Sequence, residues 1–369
     1  LCPRKGMVQM ENRLANIIVN YSINVVENEK VLITTKNSSI PLVKELIKEI
    51  NKKKGIPFVK IIDEEVNSFI METCDFNRVE LIKKTKEFET FNFDSFIMID
   101  FSKNDFLSLN VNKEVLDKIN YETSYFENIR INQKKWVILN YPTFLDAHKA
   151  KMTYDDYYKF AFDVMTYDYQ NLYNDMIPLK NLMDKTDKVR IISEKTDLTF
   201  SIKDINSVIC AGKNNIPDGE LFTAPIVNSV NGYILFNTPS PYRGNVFNNI
   251  YLEFVNGLIV NATSDNTLLL NEILDTDVGA RYIGEFAIGL NKLITKPMGD
   301  ILFDEKINGS IHLTPGRCYE EANNGNLSSI HWDLVLIQTD EYNGGEIYFD
   351  DVLVRKNGLF ILDELKHLN

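Results

Sequence analysis

In the stretch SSIHWDLV, residues 328–335, a histidine stands two residues before an aspartate inside an apolar run, in a chain with only four histidines. Alternate residues of a strand face the same side, so His331 and Asp333 should project together and Trp332 should face the other way. A neutral imidazole beside a carboxylate is a metal-ligand pair. An ordinary buried His–Asp hydrogen bond has the same spacing, so this pair alone leaves both readings open.

Three further residues share that setting. His312 lies in GSIHLTPG between Ile311 and Leu313, and should face away from those apolar neighbours. Glu220 lies in IPDGELFTAP, and Glu285 lies in YIGEFAIG between Gly284 and Phe286. Carboxylates in apolar strands are rarely buried unless paired or metal-bound. Glu220, Glu285, His312, His331 and Asp333 together give three carboxylates and two imidazoles, a ligand inventory for a pair of divalent metals such as zinc, cobalt or manganese. His148 and His367 fall in polar stretches and read as surface residues. No H-E-x-x-H, G-x-S-x-G or Cys–His signature occurs, so a helix-borne single zinc and a serine or cysteine nucleophile are both disfavoured.

These residues must be carried by the second half of the chain, which reads differently from the first. In the first half, KVLITT (30–35), a helical repeat through Leu42, Leu46, Ile47 and Ile50 ending at Gly55, and PFVKIID (57–63) form a β-α-β unit. SFIMIDF (95–101) and KWVILNY (135–141) add strands, so this half is an α/β domain with a parallel sheet. No glycine-rich phosphate loop follows any of these strands, which disfavours a nucleotide site. An aromatic-rich stretch at 152–180 reads as one long helix. From about residue 185 short strands with Gly and Asn turns dominate, and a helix at 266–274 interrupts them; this is a mostly β (α+β) domain carrying the metal site. The domains are expected at 7–180 and 181–369. Residues 1–6 are expected to be a vector-derived leader ahead of a native start at Met7.

The 369 residues, 44% hydrophobic and 25% charged, fit a globular protein with a large core. A net charge of −12 argues against nucleic-acid and anionic-membrane partners. No run approaches the roughly 18 apolar residues of a membrane span. The four cysteines, Cys2, Cys74, Cys210 and Cys318, are widely spaced and suggest free thiols in a cytoplasmic protein.

The segments IPDGELFTAP, VGARYIGEFAIG, DILFDEKINGSIHLTPGRCY and SSIHWDLV, in this order, resemble the thermophilic aminopeptidase family of metallopeptidases (the aminopeptidase T, aminopeptidase S and PepS type). The resemblance implies a metalloaminopeptidase that removes N-terminal residues from short peptides, broad but leaning to hydrophobic ones, with two divalent metal ions per chain. It implies Glu220, Glu285, His312, His331 and Asp333 as the metal ligands. It also implies Glu305, of the Asp304–Glu305 pair, as general base and Tyr319, seven residues after His312, as a donor to the oxyanion. The Glu305-to-His312 spacing is longer than in better-known members. A homodimer is implied as well, with the 152–180 stretch a candidate contributor. The alternatives are a two-metal hydrolase of another small amide or a phosphoester, for which Arg243, Arg281 and Arg317 are available, and a metal-binding protein without activity. Arg281 and Arg317 are expected to pair with nearby acids instead.

Overall fold

The structure is a computed structural model that describes residues 5–99 and 112–369. Asp100 and Phe101 of the expected strand at 95–101, Cys2 and the first four residues of the expected leader lie outside the described residues. The chain divides into two units. One comprises residues up to Ala147 with Thr153–Thr166 and Gly212–Ile216; the other comprises His148–Met152, Tyr167–Ala211 and Pro217–Asn369.

The first unit is α/β, as expected. Strands β1 (Lys30–Thr35), β2 (Ile56–Ile61), β3 (Ser95–Ile99) and β4 (Lys135–Leu139) pair in parallel in the order β2-β1-β3-β4, and the two-residue strand Asn215–Ile216 joins β4. Between β1 and β2 runs the helix Ile40–Lys52, which buries Leu42, Val43, Leu46 and Ile50 on one side, the 3.6-residue period of an amphipathic helix. Its end differs in detail from the expected glycine cap. Lys54 takes the left-handed conformation at φ 57°, while Gly55 is needed because any Cβ there would lie 2.9 Å from the side chains of Ile50 and Val25. The expected long aromatic helix is two helices, Tyr154–Met165 and Tyr169–Met183. Asp168 breaks the run because its side chain accepts the Asn171 N–H and starts a new helix, a capping preference that competes with continuation.

The second unit is built mostly from antiparallel sheets. An eight-stranded sheet runs from Leu258–Thr263 through Lys188–Ser193 to Leu359–Phe360. Its tight hairpins use left-handed pairs such as Asn256–Gly257, at φ 49° and 85°, which match the twist of the flanking strands.

The sheet that concerns function has five strands: β5 (Val208–Cys210), β6 (Glu220–Thr223), β7 (Ile283–Gly289), β8 (Ser310–Pro315) and β9 (Leu334–Ile337), in the antiparallel order β9-β8-β7-β6-β5. The inner strands β6, β7 and β8 are buried along their whole length, so polar residues there must be held by other polar groups. In β7 the period of two sends Phe286 to one face, where it meets Phe200 edge-on at 5.0 Å, and Glu285, Ala287 and Gly289 to the other. Glycine is required at both ends of β7. A Cβ on Gly284 would lie 2.3 Å from the Gly316 carbonyl oxygen, and one on Gly289 would lie 2.3 Å from that of Ile307. The backbone after β8 and the turn before it are thereby packed directly on β7. Gly289→Ala should therefore cost about 1–3 kcal/mol through overpacking, read as a lower urea midpoint at unchanged slope. A midpoint equal to that of the parent chain would contradict this packing.

Candidate metal centre

One face of the five-stranded sheet gathers the polar residues. Across β7 and β8 the register sets Glu285 opposite Thr314 and Ala287 opposite His312; across β7 and β6 it sets Ala287 opposite Phe222 and Gly289 opposite Glu220. Residues opposite one another share a face. The two smallest side chains, Ala287 and Gly289, thus sit between the longer polar ones and leave room for them to converge. A register irregularity between Ile283 and Glu285 lies at the start of β7.

His331 and Asp333 reach the same face by a route slightly different from the expected one. Strand β9 begins only at Leu334, and His331 is joined to the sheet by an isolated bridge to Gly316. The alternation still holds: Trp332 packs the other way, stacked on Tyr242 at 4.6 Å and tilted against Phe247 at 5.0 Å.

The resulting distances are short. Glu285 Oε1 is 3.3 Å from His312 Nε2, and its Oε2 is 3.4 Å from His331 Nε2. His331 Nε2 is also 3.4 Å from Asp333 Oδ1, and His312 Nε2 is 3.8 Å from Glu220 Oε2. Donor atoms of Glu285, His312 and Asp333 all lie within 4.8 Å of one another. The Thr314 hydroxyl donates to Asp333 Oδ1 at 2.5 Å and fixes that carboxylate.

Three observations show that the donors suit a divalent metal. First, the Nδ1 of His312 faces the Glu305 carbonyl oxygen at 3.3 Å, and that of His331 faces the Arg317 carbonyl oxygen at 2.8 Å. A carbonyl only accepts, so each Nδ1 carries a proton, and each Nε2, the atom left to bind a metal once its own proton is lost, faces the carboxylates. Second, Glu220 Oε2 is buried with no hydrogen-bond partner, which leaves a buried anionic oxygen aimed at His312. Third, the cluster attracts positive charge. Burial alone would push His312 down, but the Glu285 hydrogen bond and the surrounding carboxylates outweigh it and raise its pKa to about 10. Burial likewise raises the Glu285 carboxyl, against the pull of His312. At Asp333 burial is outweighed by His331, His312 and the Thr314 bond, which hold its carboxyl below the usual range.

The other expected residues lie close by. Asp304 turns away from the cluster; its carboxylate accepts the Met298 and Gly299 N–H groups at 2.6 and 3.0 Å and fixes the turn that delivers Glu305. Burial pushes the Glu305 carboxyl well above its usual range, with the Lys306 ammonium pulling the other way. Tyr319 is 41% exposed, its ring edge-on to His331 at 4.8 Å and tilted on Phe222 at 5.5 Å. Arg281 is tied to Asp275 at 2.6 Å and Asn271 at 2.9 Å, and Arg243 sits over the Tyr242 ring. His148 and His367 are exposed, as expected.

Sequence reasoning missed Lys306. Its side chain is 0% exposed, and its ammonium donates to Glu220 Oε1 at 2.6 Å and to Glu305 Oε1. Burial alone would lower its pKa, but the carboxylates of Glu220, Glu305 and Asp218 outweigh it and keep the amine charged. The available signal was the apolar surroundings of the Glu-Lys pair in ILFDEKI. Asp218, two residues before Glu220, was missed as well; its Oδ1 is 3.9 Å from the Lys306 ammonium.

Comparison with known proteins bears on the family and the fold. The chain is 37% identical over 113 residues to aminopeptidase 2 of Geobacillus stearothermophilus, covering 28% of this chain and 26% of that protein. It is 29% identical over 169 residues to aminopeptidase PepS of Streptococcus thermophilus, 40% of each chain, and 31% identical over 153 residues to aminopeptidase T of Thermus thermophilus, 37% of each. The matched stretches thus span well under two thirds of these relatives' own lengths. The solved structure of wild-type AmpT from Thermus thermophilus shares the fold, with a TM-score of 0.78 at 16% identity over 96% of this chain and 99% of that one. The family profile described as thermophilic metalloprotease (M29) matches residues 8–360, and the chain belongs to that family.

Proposed function

We propose that this protein is a metal-dependent aminopeptidase that removes N-terminal residues, broadly and with a hydrophobic leaning, from short peptides. The observation that carries the reading is the pair of histidines, each with Nδ1 bonded to a backbone carbonyl and Nε2 turned onto Glu285. Glu285, His312, His331, Asp333 and the unpartnered oxygen of Glu220 are the ligands. Nitrogen and oxygen donors of this kind suit zinc, cobalt or manganese. A divalent ion bound there supplies Lewis acidity, which polarises a carbonyl and brings the pKa of water to about 7.

The remaining roles fall to the chain's own groups. Glu285 offers one oxygen to each imidazole and so fixes the separation of the two halves of the ligand set. Glu305 is the general base, taking a proton from water and returning it to the leaving amine. The Tyr319 hydroxyl donates to the developing oxyanion, a contribution of about 3 kcal/mol. Carboxylates outnumber cationic side chains around the site, and the negative field this creates favours substrates with a cationic amino terminus. Of the three arginines available to a phosphoester, Arg281 and Arg243 are engaged by Asp275 and Tyr242, whereas Arg317, contrary to expectation, forms no ion pair among the described residues. The resemblance of four ordered motifs supports a homodimer as the working form. The free thiols of Cys74, Cys210 and Cys318 fit a reducing cytoplasm. The β-rich unit is the catalytic one in this reading.

Leucine 4-nitroanilide hydrolysis, followed as isolated, after EDTA and after metal return, tests the reading. EDTA should abolish it, cobalt, zinc or manganese should restore it, and the N-acetylated substrate should be inert; hydrolysis that is insensitive to EDTA would overturn it. Loss of an outer-shell partner of a metal ligand costs about 10–100-fold, so Glu285→Gln and His331→Ala, which remove ligands, should lose at least that. Tyr319→Phe should lower kcat by about 10²–10³-fold with KM little changed; a change confined to KM would remove Tyr319 from the chemistry. Metal return at about 100 times Kd should stabilise the fold by about 2.7 kcal/mol, seen as a higher Tm than in EDTA; equal Tm values would contradict ligation by the native state.

A further inference from the structure

The ligand inventory suggests two ions, yet one half of it already contains a cation. Lys306 is fully buried, and a lysine reaches that state only when its charge is paired. Its ammonium bonds Glu220 Oε1 at 2.6 Å and Glu305 Oε1, and Asp218 Oδ1 lies 3.9 Å away. This corner has the composition of a second metal site, because donor atoms of Cys210, Asp218 and Glu220 lie within 4.8 Å of one another. The Glu220 oxygen of that corner is nevertheless turned onto an ammonium, and the Asp218 Oδ1 accepts the Gly219 N–H.

The neighbouring corner differs. Among the described residues, the ion pairs of Glu285 and Asp333 are all with His312 and His331, whose Nε2 atoms are not otherwise engaged. Glu220 joins the two corners. Its Oε1 holds Lys306, while its Oε2, buried and without a hydrogen-bond partner, lies 3.8 Å from His312 Nε2.

We propose that the Lys306 ammonium stands in for one of the two ions, so that the chain binds a single divalent metal in the corner of Glu285, His312, His331 and Asp333, with Glu220 Oε2 turned toward it. The proposal rests on the metallopeptidase reading above. A second ion would have to take Glu220 Oε1 and Glu305 Oε1 from the ammonium. It would also have to sit within a few ångström of a like charge, where burial leaves Coulomb repulsion weakly screened. A fully buried lysine has no adjacent water into which to withdraw its charge. Lys306 is thus a positioning residue: it neutralises Glu220 and holds the Glu305 carboxyl in place.

The test is metal content, not activity. The full chain is loaded with excess cobalt(II), freed of unbound metal by gel filtration and measured by inductively coupled plasma mass spectrometry. The expected result is one cobalt per chain, rising to two in Lys306→Met, which keeps the length of the side chain and removes its charge. Two cobalt ions in the parent chain, or one in Lys306→Met, would overturn the proposal and leave the metallopeptidase reading standing. No bound cobalt would overturn both. If Lys306→Met does not fold, electron paramagnetic resonance of the cobalt-loaded parent chain decides: an isolated high-spin cobalt(II) signal supports one ion, and a spin-coupled pair contradicts it.

Discussion

Four carboxylates gather at one sheet face, Glu305 reaching it from the turn before β8 to join Glu220, Glu285 and Asp333; they are held almost out of water, and the rest of the site answers to that constraint. Two like charges about 4 Å apart repel by about 4 kcal/mol even at an effective dielectric of 20. Such a group persists only with cations among its members. The chain supplies one fixed cation, Lys306, and two imidazoles whose Nε2 atoms face the acids. The unpartnered oxygen of Glu220 and the upward shift of His312 express the same deficit of positive charge, one as an unmet bond and the other as proton affinity.

The sheet makes this arrangement affordable by geometry. Strands β6, β7 and β8 are buried along their length, so backbone ladders satisfy the main chain and only side chains carry the electrostatic burden. Small residues matter as much as polar ones. Ala287 lies between Phe222 and His312, and Gly284 and Gly289 let the flanking backbone approach close enough to place the Arg317 carbonyl and the Glu305–Lys306 turn. A larger side chain at any of the three would move a group that orients a histidine or an acid.

Much of this was legible in the sequence, for identifiable reasons. The α/β half followed from buried strand runs and a 3.6-residue repeat. The convergence of Glu220, Glu285, His312, His331 and Asp333 followed from charged residues embedded in apolar, strand-period segments. The alternation at His331 and Asp333 survived although the regular strand starts only at Leu334, because a single bridge at Gly316 imposes the same side-chain directions. The break at Asp168 was hidden because aromatic spacing stays in helical phase across 154–183, while a capping carboxylate decides locally where one helix ends and the next begins. Lys306 was hidden for a deeper reason. A lysine beside a glutamate ordinarily reads as solvated surface, and only the tertiary approach of Glu220, 86 residues earlier in the chain, makes it a buried ion.

X-ray absorption at the metal edge of the zinc-loaded protein tests the central claim most directly. The account predicts a first shell of nitrogen and oxygen near 2.0–2.1 Å with outer-shell scattering from two imidazoles, as expected for His312 and His331 beside carboxylates. A sulfur shell near 2.3 Å, which would place the ion on Cys210, or a spectrum without imidazole scattering, would contradict it.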